Sequence, residues 1–217
     1  MRTIKQELEI VIKKTPFLEE GISLGIVNLS ALARKIRPEL AKKMYRRNIS
    51  IPSLVMALKR MKVQTKSKKS HISLLKLVRN ITLRDNLKEI TIRNSENTGK
   101  VQKEILGAIE NKGDSFLNIT TGIGETTFIY NDKTAVVMER LLAGEKIIKK
   151  ITDLSAISID LPEVTIVTPG IYYLILKSLA WENINIVEVV SNHRELTLIF
   201  NRNDIERAFS VIRELTE

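Results

Sequence analysis

Glu89-Ile90-Thr91-Ile92 recurs as Glu163-Val164-Thr165-Ile166, and the pattern downstream of each tetrad recurs with it. The spacing is roughly 70 residues, and self-similarity at one period marks a repeated structural unit. Each tetrad alternates polar and apolar residues and leads to a glycine, Gly99 or Gly170, that opens a helical pattern. The first helix reads Val101, Ile105, Ala108, Ile109. The second reads Leu174, Ile175, Leu179, with Tyr172 on the same side. Steps of three and four residues gather these onto one apolar face, as a helix covering a sheet requires.

A strand pair follows each helix. Phe116-Leu117-Asn118-Ile119-Thr120 leads through Gly122 and Gly124 into Thr127-Phe128-Ile129-Tyr130. Ile186-Val187-Glu188-Val189-Val190 leads through Ser191-Asn192-His193-Arg194 into Leu196-Thr197-Leu198-Ile199-Phe200. Alternation with a short polar connection predicts hairpins. A second helix closes each copy: Ala135–Leu142, capped by Asp132 or Thr134, and Ile205–Leu215, capped by Asn203 or Asp204. The order strand–helix–strand–strand–helix, taken twice, predicts an α+β chain: antiparallel sheets with helices on one face. Each sheet needs a fourth strand. Ile81–Arg84, Lys146–Ile151 and Ala156–Asp160 are the candidates, and sequence alone does not choose among them.

Thr168-Pro169-Gly170-Ile171, an apolar helix, and then Leu179-Ala180-Trp181-Glu182-Asn183-Ile184-Asn185-Ile186 resemble the ACT domain, particularly the regulatory tandem of aspartate kinases. The first copy departs from that pattern, with Asn97-Thr98-Gly99 and no proline, and Gly113-Asp114-Ser115-Phe116 where Asn-Ile would stand. The resemblance implies ferredoxin-like βαββαβ modules, regulatory binding of a small molecule such as an amino acid, and homodimers paired through the modules. The residues make their own physical case. Gly170 allows a backbone conformation that other residues avoid, and it sits where free N–H groups of a helix start can receive a carboxylate. Asn185 offers a side-chain oxygen to an ammonium or amide. Thr168, Pro169, Gly170, Ile171, Asn185 and Ile186 are therefore the candidate ligand residues. The plainer reading is a tight Pro-Gly turn with Asn185 closing a loop.

Charge divides the chain. The net charge is +10, but residues 1–70 hold 17 Lys/Arg against 5 Asp/Glu, or +12, while the remaining 147 hold 18 against 20, or −2. A basic module joined to a neutral one is implied, and a basic module attracts phosphate backbones or anionic membrane surfaces, the plainer reading being a solvated Lys-rich surface. The expected division is 1–70, 71–152 and 153–217. The first part reads as helical. Ile4, Leu8, Val11 and Ile12 share a face, Pro16–Leu24 starts a second helix, and Ser30 is placed to cap a third that Pro38 should kink or end. Ser50-Ile51-Pro52-Ser53 opens a fourth helix, on which Ile51, Leu54, Val55, Leu58 and Met61 cluster, with Ser53, Met56 and Arg60 opposite, flanked by Lys59. This resembles the recognition helix of a helix-turn-helix domain. DNA is thus the expected macromolecular partner, contacted by Ser53, Met56, Lys59 and Arg60, with Arg46, Arg47, Lys66, Lys68 and Lys69 on phosphates. The stretch from Ile36 to Ile51 is longer than the ~3–4-residue turn of that motif. The competing reading is a regulatory interaction protein whose helices dock on an enzyme or other protein.

The sequence has no cysteine, no phosphate-cradling glycine motif, and only His71 and His193 as histidines. A thiolate nucleophile is excluded, and no cofactor, metal or catalytic residue is expected. Charges interrupt the first apolar stretch, Met1 to Glu7, and no apolar run approaches the ~18 residues of a membrane span. The expectation is a cytoplasmic, ligand-responsive, transcription-regulator-like protein that is not an enzyme.

Overall fold

A computed structural model describes residues 3–15, 18–44, 49–61, 74–110, 113, 115–165 and 167–217. The chain divides into two compact units, Met1–Ser70 and His71–Glu217. Arg46, Arg47, Lys66, Lys68 and Lys69 lie outside the described residues.

The first unit is helical: α1 (Ile4–Lys14), α2 (Leu18–Ser23), α3 (Leu29–Lys43) and α4 (Ile51–Arg60). Thr3 and Gln6 close a capping box on α1. Leu8, Val11 and Ile12 pack with Leu32, Ala33, Ile36 and Leu40 of α3 and Leu54 and Leu58 of α4. Two local expectations are corrected. The cap of α3 is Asn28, whose side chain accepts from the N–H groups of Ser30 and Ala31, so Ser30 stands inside the helix. Of the two outcomes expected at Pro38, the end does not occur: α3 runs on through it to Lys43. Its ring sits on the exposed side, and Ile36 and fully buried Leu40 anchor the helix on either side of the missing N–H.

The second unit is built on two long strands. β1 (Ile81–Arg93) and β4 (Ile147–Asp160) run antiparallel along most of their length. Between them come α5 (Thr98–Ile109), β2 (Leu117–Thr121), β3 (Glu125–Asn131) and α6 (Asp132–Leu141). After β4 come a 3-10 turn (Glu163–Thr165), α7 (Ile171–Trp181), β5 (Glu188–Ser191), β6 (Glu195–Asn201) and α8 (Ile205–Thr216). The strands form one six-stranded sheet in the order β2-β3-β1-β4-β6-β5. This single continuous sheet replaces the two separate sheets expected.

The repeat is therefore real but differently registered. The second counterpart of Glu89–Ile92 is not Glu163–Ile166, whose first three residues form the 3-10 turn, but the end of β4. Leu87 opposes Asn131 of β3, and Leu154 opposes Asn201 of β6; Arg93 opposes Glu125, and Asp160 opposes Glu195. The offset is 67 residues in the central strands and 70 in the hairpins. The β1–β4 ladder obeys the same relation: Arg84↔Ala156 maps onto Glu89↔Ile151, and Leu83↔Ile157 onto Ile90↔Lys150. Each half thus takes its fourth strand from the other's long strand. Ile147–Ile151 completes the first half and Ile81–Arg84 the second, and the expected boundary at 152/153 falls inside β4.

One face of each half carries two helices. Ile90, Ile92, Phe128 and Tyr130 pack on Ile105 of α5 and on Ala135 and Met138 of α6. Ile157, Ile159, Leu196, Leu198 and Phe200 pack on Ile171, Ile175 and Leu179 of α7 and on Ala208 and Ile212 of α8. The other face is also dry at its centre, where Leu87, Ile129, Leu154, Ala156 and Ile199 form a further buried cluster. Those five residues come from β1, β3, β4 and β6. The strong twist of an antiparallel sheet lets its two halves turn toward one another and close that face.

Candidate functional site at the start of α7

The chain leaves β4 at Asp160 and enters α7 at Ile171, and the intervening connection is held by its own hydrogen bonds. Thr165 donates both its N–H (2.8 Å) and its hydroxyl (2.6 Å) to Pro162 O. The Thr168 hydroxyl donates to Val164 O at 2.7 Å. Gly170 ends the connection with φ 94° and ψ 2°, a left-handed conformation that favours glycine, and no side chain caps the helix it begins.

The β5–β6 turn comes to the same end of the sheet, because Asp160 opposes Glu195. Leu161 N–H donates to Arg194 O at 2.7 Å, and Arg194 pairs with Asp160 at 3.4 Å. The Tyr172 hydroxyl meets Ser191 Oγ at 2.6 Å, tying the first turn of α7 to the end of β5. A cavity of about 510 Å³ lies in this corner. Thr165, Thr168, Gly170, Ile171, Tyr172 and Tyr173 line it from the connection and helix, and Asn192 and His193 line it from the hairpin turn, over a floor of Leu161.

Its chemistry follows from those bonds. The first-turn N–H groups of α7 lack intrahelical acceptors and carry the positive end of the helix dipole, so that end suits an anion. The hydroxyl protons of Thr165 and Thr168 are committed to carbonyls, which leaves their oxygens as acceptors suited to an ammonium. Asn192 and His193 add polar groups opposite the helix.

Of the residues singled out in the sequence, Thr168, Gly170 and Ile171 come together here, and Pro169 stands exposed between them. Asn185 and Ile186 do not. They follow the C-terminal end of α7, and eleven helical residues separate the ends by roughly 16 Å. Asn185 is exposed there, and Ile186 packs against the second-half core. The hairpin residues Asn192 and His193 take the facing position. The signal for them was the antiparallel pairing itself, which returns the β5–β6 turn to the end of β4.

The matching corner of the first half is built differently. Only Ser95, Glu96 and Asn97 and their neighbours join β1 to α5, and Asn94 occupies the corner with its side chain. Its Nδ2 donates to Gly122 O (2.9 Å) and Ile123 O (3.3 Å), while its Oδ1 accepts from the Thr126 hydroxyl (2.7 Å). Gly99 lies inside the helix, without the left-handed conformation of Gly170.

On α4, Ser53, Met56, Lys59 and Arg60 are all exposed, while Leu54 and Leu58 of the same helix are buried.

No family profile matches the chain, and no curated protein matches it. Solved structures do. Aspartate kinase of Clostridium acetobutylicum superposes with a TM-score of 0.55 at 18% identity, over 64% of this chain and 35% of that one. Aspartokinase III of E. coli, solved with aspartate and ADP, gives 0.51 at 16% identity, over 64% of this chain and 33% of that enzyme. The ligand-free regulatory subunit of aspartate kinase from Thermus thermophilus gives 0.50 at 16%, over 64% of this chain and 99% of the subunit. The match spans about a third of the length of the whole enzymes and nearly all of the regulatory subunit. Over the matched 64%, the chain thus shares the α+β, ACT-like fold of aspartate kinase regulatory regions.

Proposed function

We propose that the protein is a regulator that senses an α-amino acid, or a small metabolite of the same charge pattern, in the corner before α7. It is not itself an enzyme in this reading. The observation that carries it is the pairing of an uncapped helix start at Gly170 with two threonine oxygens whose protons are already engaged. A carboxylate on the N–H groups of Ile171 and Tyr172 leaves its α-ammonium to Thr165 or Thr168 and its side chain to Asn192 and His193. E. coli aspartokinase III was solved with aspartate, and the shared fold supports an amino acid as the class to test first. The protein works in the cytoplasm and pairs into homodimers through its second unit. The test is a thermal-shift screen against the amino acids, since a ligand that binds only the folded state raises the melting temperature. No shift with any of them at millimolar concentration sinks this reading.

A second reading concerns the first unit. The exposed row Ser53, Met56, Lys59 and Arg60 on a helix anchored by Leu54 and Leu58 favours DNA as its partner. Salt-dependent retention of the full chain on duplex DNA tests it. Without retention at low salt, a protein partner docking on α4 becomes the better account.

A further inference from the structure

Glu89 lies on the sheet face opposite α5, α6, α7 and α8, between Ile129 of β3 and Ile151 of β4. Strand alternation puts it there beside Leu87 and Thr91, a position that faces water in an ordinary two-layer sheet. In this sheet it is 2% exposed, and its Oε2 has no hydrogen-bond partner among the described residues. An ionised carboxylate is poorly accommodated in such a place.

The carboxylate that bears on it belongs to Glu188 of the edge strand β5. In a flat sheet, three strand spacings would separate β5 from β1 by roughly 14 Å. The sheet curls instead: Val187 and Val190, on either side of Glu188, pack with Phe116 and Ile151 against the one buried cluster that joins Leu87 and Ile129 to Leu154, Ala156 and Ile199. The seam between β5 and β1 is thus apolar around two acids. The elements around Glu89 offer it little else: Ile129 from β3, Ile151 and Lys149 from β4, and the Thr91 hydroxyl, itself bonded to Thr127 at 2.9 Å. Lys149 is exposed, and its charge is well solvated. A different contact joins the halves where β2 begins. There the Arg84 guanidinium lies 5.4 Å from the centre of the Phe116 ring and holds with no acid involved.

We propose that Glu89 is a proton-operated latch on the β5–β1 seam: protonated, it lets β5 close over β1, and ionised, it is driven apart from β5 by Glu188. The Arg84–Phe116 contact serves as the fixed side about which the seam opens. Burial, first, and then the facing Glu188 charge raise the proton affinity of Glu89 above that of an ordinary glutamate, so the latch operates above the usual carboxylate range. The proposal is independent of any ligand in the α7 corner.

The test follows the seam in the full chain across pH. A paramagnetic co-solute reports solvent access to the methyl groups of Leu87, Val187 and Val190, while the carboxyl carbon of Glu89 is titrated by NMR. Relaxation of those methyls is expected to rise with pH, with the midpoint at which Glu89 titrates and above the ordinary glutamate value. Glu89→Gln should stay closed throughout, and Glu188→Gln should open less and with a lower midpoint. A Glu89→Gln variant that opens with the wild-type pH dependence overturns the latch. So does a wild-type Glu89 that titrates at or below the ordinary value, a result that does not depend on the variants folding.

Discussion

Asn86 and Asp153, 67 positions apart, both hold the left-handed backbone conformation, at φ 57° and φ 56°, and each directly precedes one of the two leucines, Leu87 and Leu154, that face each other in the β1–β4 ladder. The ladder slips between Arg84 and Leu87, so the left-handed residues mark where each long strand passes from one half to the other. Hydroxyl pairs repeat the relation: Thr91 with Thr127 at 2.9 Å, and Ser158 with Thr197 at 2.6 Å. Asn and Asp tolerate this conformation better than other side chains that carry a Cβ. Asn86→Val and Asp153→Val should therefore each lower stability by about 1–2 kcal/mol, and the glycine variants by much less. Urea unfolding of the four variants checks this. A large difference between the two valine variants would count against equivalence of the crossings.

One equivalent pair has changed its chemistry. In the first half, Lys88 bonds Asp132 at 2.7 Å. The corresponding residues of the second half are Ser155 and Arg202, which share Asp85 instead: Ser155 Oγ donates at 2.6 Å and Arg202 approaches at 3.1 Å. The Ser155 hydrogen bond, with Arg202 in support, holds the Asp85 carboxyl below its usual range. A lowered folded-state value means stability that is present above the unfolded value and lost as pH falls through the folded one. Asp85→Asn should be less stable than wild type at neutral pH, with the gap closing in acid. Ser155→Ala should cost about 1 kcal/mol at pH 7. Denaturant midpoints measured from pH 2 to 7 decide both.

Glu89 has the opposite sign. Its raised folded-state value means stability that is full below the unfolded value, declines as pH rises through the folded one, and stays reduced above. Glu89→Gln should therefore be more stable than wild type at pH 7, and the two should converge at low pH. Equal stability at pH 7 and a constant difference at every pH each contradict this.

The two glycines that open helices should respond differently. A side chain at Gly170 is strained whatever the space around it, at about 1–3 kcal/mol, whereas a Cβ at Gly99 meets open space in a helix. Gly170→Val should lose the ligand found by the thermal-shift screen, and Gly99→Val should bind it like wild type and be at least as stable. Calorimetric titration of the two variants checks the binding. Unchanged affinity in a folded Gly170→Val protein would place the site away from this turn.

On α4, Lys59→Ala together with Arg60→Ala should weaken DNA retention and flatten its salt dependence by about two units of log–log slope, one for each phosphate no longer neutralised. A slope equal to that of wild type removes these residues from the interface.

Much of this architecture was legible because it is local. The hairpins around Gly122 and Asn192, the helices after Gly99 and Gly170, and the buried face of α4 all follow from alternation, turn residues and helical spacing. Glu163-Val164-Thr165 misled because a short stretch with two β-branched residues carries less weight than a partner to pair with. β4 had already filled the place beside β1 and β6, and at fourteen residues it read as two separate candidates, Lys146–Ile151 and Ala156–Asp160. Asn192 and His193 could be found only through the register of β4 with β6. The burial of Glu89 was hidden for a similar reason, since its neighbours in sequence are those of an ordinary exposed strand position, and the buried cluster on its face takes in Val187 and Val190, about 100 residues later.

The exchange of fourth strands also orders events at the ribosome. Ile81–Arg84 leaves the exit tunnel well before Ala156–Ile159, its pairing partner, has been made. At typical rates of synthesis the interval is on the order of 4–15 s. Throughout that time Ile81 and Leu83 lie on a bare strand end, while the first half has its own hairpin and helices to collapse upon. The nascent chain thus has a period in which Ile81–Arg84 is open to chaperones or to another chain, and it closes only when the second half is long enough to claim this stretch.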